Sequence, residues 1–133
     1  MIEIKNLSKK FGHLTAVDDV SFKVQPGEVL GFLGPNGAGK STTMKMITGF
    51  LAPTSGEVEV CGYSVNEKPI EVKKHIGYLP EGAPCYGEMT PLQFLEFIAQ
   101  IRQLSGQHKI DRNKEVIQLL HLDKVLNQSI DTL

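Results

Sequence analysis

Four residues, Gly34, Gly39, Lys40 and Ser41, stand at the spacing Gly-x-x-x-x-Gly-Lys-Ser. That spacing suits one kind of chemistry, the holding of a chain of phosphates. Phosphates carry several negative charges, and successive backbone N–H groups in a loop, joined by the unpaired N–H groups of a helix start, form a cradle for them. The intervening Pro35, Asn36, Gly37 and Ala38 belong to that cradle. Glycines permit positive φ and close backbone approach. In this arrangement Lys40 places its ammonium on the β- and γ-phosphates. Ser41 offers its hydroxyl to Mg²⁺, and Thr42 with nearby backbone groups reaches the α-phosphate. At average composition the four fixed positions coincide in roughly one chain of this length in a few hundred. The dinucleotide pattern Gly-x-Gly-x-x-Gly does not fit, because Thr42 stands where its third glycine belongs.

Such a loop needs a strand before it and a helix after it. Val29-Leu30-Gly31-Phe32-Leu33 is a short apolar run, the pattern of a strand buried on both faces of a parallel sheet. Lys40–Thr48 has helical character, stopped by Gly49 with Pro53 beyond. Upstream, Ile2–Leu7 and Val17–Val24 alternate as strands, with a turn at Pro26-Gly27. Downstream, Glu57–Val60 and Ile76–Leu79 read as short strands and Glu71–His75 as one helical turn. After a loop containing Gly82, Pro84 and Gly87 the chain turns helical. Thr90-Pro91-Leu92-Gln93 is a capping-box start, and Gly106 is the expected stop. A second helix is expected over Arg112–Leu120. The chain therefore divides into a phosphate-binding part, residues 1–85, and the start of a helical part, residues 86–133.

The 133 residues carry 14 Lys+Arg against 15 Asp+Glu, a net charge of −1. This balance excludes a basic, DNA-coating surface, so no nucleic-acid partner is expected. The longest near-apolar stretch, Val29–Gly34, is far short of the ~20 residues of a spanning helix. Met1-Ile2-Glu3-Ile4 already alternates like a strand, so no leader peptide is expected. Cys61 and Cys85 are distant from each other and read as ordinary thiols in a reducing compartment. His13, His75, His108 and His121 show no metal-ligand spacing.

The run from Gly34 through Thr43 strongly resembles the Walker A loop of ABC-transporter ATP-binding subunits. Residues 2–9 resemble the family's first strand, Pro53-Thr54-Ser55-Gly56 and Gly62 its antiparallel β-subdomain, and Ile76–Glu81 its Q-loop region. With Thr43–Gly49, the combination is most similar to bacterial exporters of the drug-export and gliding-motility branch. The resemblance implies an α/β fold: a P-loop NTPase (RecA-like) core, an antiparallel β-subdomain and the start of an α-helical subdomain. It implies ATP and Mg²⁺ as ligands. Phe11, with Val17 close by, falls at the A-loop, whose aromatic stacks on adenine; the bland alternative is a core aromatic. Asn36, Gly37, Ala38, Gly39, Lys40, Ser41 and Thr42 fall on the phosphates.

Glu81 stands where the family usually has the Q-loop glutamine. A carboxylate can still bind Mg²⁺ but cannot donate an N–H, and the alternative is a solvated loop acid. On the first reading Glu81 joins Ser41 at the metal and Lys40 in catalysis. The family's signature motif, Walker B strand, catalytic glutamate, D-loop and switch histidine follow the region that ends at Leu133. The resemblance thus implies the N-terminal part of a longer ATPase, inactive by itself. The expected partners are a second ATP-binding subunit and an integral membrane permease, at the cytoplasmic face of the cell membrane. Phe94, Phe97 and Ile98 are read either as core or as part of a groove for that permease. A soluble ABC-type ATPase is the alternative function; nothing between Ile76 and Glu81 supports a P-loop kinase or GTPase.

Overall fold

A computed structural model describes residues 1–82 and 85–133. They form two compact units, Met1–Tyr78 and Leu79–Leu133.

In the first unit, β1 (Ile2–Phe11) and β2 (Leu14–Val24) form an antiparallel hairpin. Gly12, at φ 58, makes its turn, and Phe11 faces Leu14 across it. On the other edge of β1 lies β3 (Ser55–Val60), followed by the two-residue β4 (Tyr63–Ser64), so the sheet order is β2-β1-β3-β4. Strict alternation would send Ile4 and Leu7 to opposite faces. Both are buried, because the pairing slips between them. Asn6 absorbs the extra residue at φ 48 and donates from Nδ2 to Asp19 Oδ1 at 2.8 Å. The bulge returns Leu7 to the core face.

Against that face packs α1 (Lys40–Ile47), which buries Thr43, Met46 and Ile47, the i, i+3, i+4 stripe of an amphipathic helix. Met46 and Ile47 form the core with Ile4, Leu7, Val17, Val58, Val60, Val65 and Val72. Val72 comes from α2 (Pro69–His75). Gly49, at φ 72, follows the end of α1 as expected.

Two predicted strands are absent. Val29–Leu33 forms no regular element, and Val29 and Leu33 are 96% and 94% exposed. Ile76–Leu79 is likewise outside any sheet among the described residues. A strand is completed by a neighbour's ladder of hydrogen bonds, and the sheet that forms is built from β1 to β4 alone. Phe32 alone of the first run keeps an aromatic neighbour, Phe22, with ring centroids 5.7 Å apart.

The second unit contains α3 (Pro91–Ile101) and α4 (Gly106–Leu119). The capping box forms as read: Gln93 N–H donates to Thr90 Oγ1 at 3.2 Å and Thr90 N–H to Gln93 Oε1 at 2.9 Å. Gly106 opens α4 instead of closing α3, whose cap is Arg102. The first turn of α4, residues 106–109, has no apolar side chain beyond its glycine, and Gln107 Nε2 donates to Asp111 Oδ1 one turn on. It therefore carries no apolar period to be read. Tyr86 packs its ring edge-on against Phe97, centroids 5.6 Å apart, and also meets Phe94; Ile98 is exposed. A short 3₁₀ turn, Ile130–Thr132, is tied back to the start of the unit by Ser129 Oγ–H and Asp131 N–H, both donating to the Gly87 carbonyl. Pro84, expected in the loop before this unit, lies outside the described residues. No helix among those residues is long and apolar enough to cross a membrane.

Candidate phosphate-binding site

Helix α1 begins directly after the glycine-rich loop, and Gly39 is its N-cap at φ 84, ψ 3. No side chain caps it, and no acidic residue lies in its first turn. Thr43 N–H is the first to find a helical acceptor, the Gly39 carbonyl at 2.8 Å. The N–H groups of Lys40, Ser41 and Thr42 precede it and have no acceptor within the helix, as its geometry requires. Donors and dipole together favour an anion at this end.

The loop curls ahead of the helix through a turn in which Ala38 N–H donates to the Pro35 carbonyl at 3.2 Å. Lys40 reaches back into the curl. Its Nζ donates to the Gly34 carbonyl at 2.5 Å and the Pro35 carbonyl at 2.7 Å. The ammonium is therefore positioned by the loop's own backbone, next to the helix start.

Two glycines serve different ends. Gly37 has φ 84 and open space around it, so only its backbone conformation demands glycine. Gly39 has the same φ, and a Cβ there would collide with the Ala16 carbonyl of β2 and press on Val17 Cγ2. The loop is thus seated on the hairpin, an approach that glycine spacing alone did not reveal.

The remaining site residues fall as follows. Asn36, Gly37, Ala38 and Ser41 are exposed, and Thr42 is half-buried. Thr43 is buried and spends its hydroxyl on the Gly39 carbonyl at 2.9 Å, a role in holding the helix start. Val17 is 5% exposed within the core, so its bearing on the loop is the support it lends Gly39 from below. Phe11 lies at the end of β1 and is 49% exposed, not a core aromatic. Glu81 is exposed on a turn in the second unit, whereas Ser41 belongs to the first. Among the described residues no three His, Cys, Asp or Glu side chains gather as a metal site, and Cys61 and Cys85 are free and exposed.

A glycine-rich loop that closes on its own lysine and opens a helix without a side-chain cap has the form of a P-loop. The family described as "ABC transporter" matches residues 17–133, and the chain belongs to it. The probable multidrug ABC transporter ATP-binding protein YbhF of Escherichia coli is 39% identical over all of this chain, which spans 23% of that protein. The linearmycin resistance ATP-binding protein LnrL of Bacillus subtilis is 34% identical over 99% of this chain and 42% of its own length. A solved structure of an ATP-binding subunit of an ABC transporter superposes with a TM-score of 0.86 at 31% identity, covering 96% of this chain and 53% of that one. The ATP-binding cassette MJ0796, a dimer bound to ADP and Pi, has the same fold, with a TM-score of 0.85 at 23% identity over 100% of this chain and 63% of its own. The chain thus spans between about a quarter and two thirds of these proteins.

Proposed function

We propose that this chain binds Mg-ATP as the N-terminal part of an ABC-transporter ATP-binding subunit of the export type. The observation that carries the reading is Lys40, whose ammonium is held inside the loop at an uncapped helix start. The donor set fits a triphosphate: main-chain N–H groups for the oxygens, one fixed cation, and the Ser41 hydroxyl beside them. Lys40 binds the β- and γ-phosphates. Ser41 is the residue that would hold Mg²⁺. Mg²⁺, when bound, neutralises charge on the phosphates. Phe11 offers its ring to adenine. ATP binding pairs two such subunits, and hydrolysis drives a separate membrane permease from its cytoplasmic side. The names of YbhF and LnrL, with their reference to drugs and resistance, favour export, and the dimeric MJ0796 cassette favours pairing.

Replacing Lys40 tests this. A hydrogen bond to a charged group contributes ~1.5–3 kcal/mol. Lys40→Ala should therefore weaken ATP at least about tenfold in titration calorimetry. Unchanged affinity would sink the assignment.

A further inference from the structure

Lys9 sits two residues before Phe11 on β1, and its ammonium has two engagements. It donates a hydrogen bond to the Ala52 carbonyl at 2.7 Å, and it lies over the Phe11 ring, 5.2 Å from the centroid. A cation at that distance is attracted by the negative face of the ring. Ala52 belongs to the segment that leaves α1 and enters β3. That segment is fastened to the end of β1 twice more: Thr54 N–H donates to the Ser8 carbonyl at 2.9 Å, and Lys10 N–H to Thr54 Oγ1 at 3.0 Å. Helix α1 is therefore braced against one hairpin at both ends. Its N-terminus meets β2 where Gly39 abuts the Ala16 carbonyl. The chain beyond its C-terminus meets β1 at residues 8 to 10. The same hairpin carries Phe11, and the same helix carries Lys40.

We propose that Lys9 is a positioning residue for base recognition: it fixes the Phe11 ring relative to the phosphate loop, so that a nucleotide's base and phosphates are met at one set spacing. This rests on the reading of Phe11 as the adenine platform and goes beyond it, because it assigns the ring's placement to a side chain that touches no ligand. A half-exposed phenylalanine at a strand end has rotamers to choose from. An ammonium pinned by a carbonyl on one side removes part of that choice. The ligand consequence is specific: what depends on Lys9 is affinity for the base, not for the phosphates.

The test compares three ligands, ATP, the fluorescent base analogue etheno-ATP and inorganic tripolyphosphate, on the purified protein. The variants are Lys9→Met, Lys9→Arg and Phe11→Ala. Lys9→Met keeps the stem and removes the cation. It should weaken ATP and etheno-ATP about two- to fivefold, leave tripolyphosphate unchanged, and reduce the stacking-induced change in etheno-adenine fluorescence. Lys9→Arg should restore ATP and etheno-ATP binding and the fluorescence change. Equal weakening of ATP and tripolyphosphate in Lys9→Met would overturn the proposal, since Lys9 would then serve the fold or the loop. So would an unaltered Lys9→Met beside a weakened Phe11→Ala, which leaves the base platform standing without this support. If Phe11→Ala itself binds ATP as the wild type does, the platform reading falls and the proposal with it. Thermal melts of each variant separate a loss of fold from a loss of binding.

Discussion

Residues 2–7 and residues 29–33 both read as strands, yet only the first becomes one, as part of β1. The difference is where their partners lie. β1 is joined to β2 by a two-residue turn, so its first neighbour is supplied by the adjoining chain; β3 then pairs its other edge. Val29–Leu33 has the composition of an inner parallel strand, and such strands have neighbours only across long crossovers. Composition states a propensity for burial. It does not supply the partner that makes burial possible, and here the run stays outside the four-stranded sheet.

A pair of truncations puts that contrast to the test with the largest effect expected. Leu7 is fully buried in the core, so Leu7→Ala should cost ~2–5 kcal/mol of stability. Val29→Ala in the same 133 residues should change stability by less than about 0.5 kcal/mol, since 96% of Val29 is already in water. Urea titration of both variants measures this. Comparable losses would mean that residues 29–33 are packed after all, and the contrast would collapse.

Gly39 is where the chain that follows the unpaired run meets a well-anchored element. An alanine there must adopt φ near +84 and press its Cβ on the Ala16 carbonyl. The left-handed backbone alone costs ~1–2 kcal/mol, and the collision adds to it. Gly39→Ala should therefore lower the unfolding midpoint, while Gly37→Ala, with the same φ and open space, should lower it less. Equal shifts in denaturant titrations would show that the loop does not rest on β2.

The phosphate loop was the most legible part of the chain because its signal is local. Four residues at fixed spacing imply a helix start, and α1 begins at Lys40 as that spacing requires. The capping box at Thr90 was legible for the same reason. What escaped reading depends on contacts distant in sequence or on the absence of a period. The seat of Gly39 on Ala16 joins residues of separate elements. The bulge at Asn6, which puts Ile4 and Leu7 on one face, breaks the alternation from which strands are read. The first turn of α4, residues 106–109, has no apolar side chain to start a stripe. Lys9 sits in an ordinary basic pair with Lys10, and its hydrogen bond to the Ala52 carbonyl spans forty-three positions.

The smallest expected effect concerns α2, a seven-residue helix that reaches the core through Val72. Short helices rely on packing and on their own side-chain pairs. Lys74 Nζ donates to Glu71 Oε1 at 2.9 Å across one turn. That hydrogen bond, with the charges of Lys74, His75 and Lys68 behind it, holds the Glu71 carboxyl below its ordinary value of 4.5. A carboxyl depressed in the folded state favours folding wherever it is ionised. The contribution is complete above the ordinary value and fades as pH falls through the lowered one. Glu71→Gln should therefore melt slightly below the wild type at pH 7, and the two should converge as pH falls through the lowered Glu71 value. Both members of the pair are well exposed, so salt should shrink the gap at pH 7 as well. A gap that widens on acidification would reverse the sign of the linkage and show that Glu71 does not stabilise α2 through its charge.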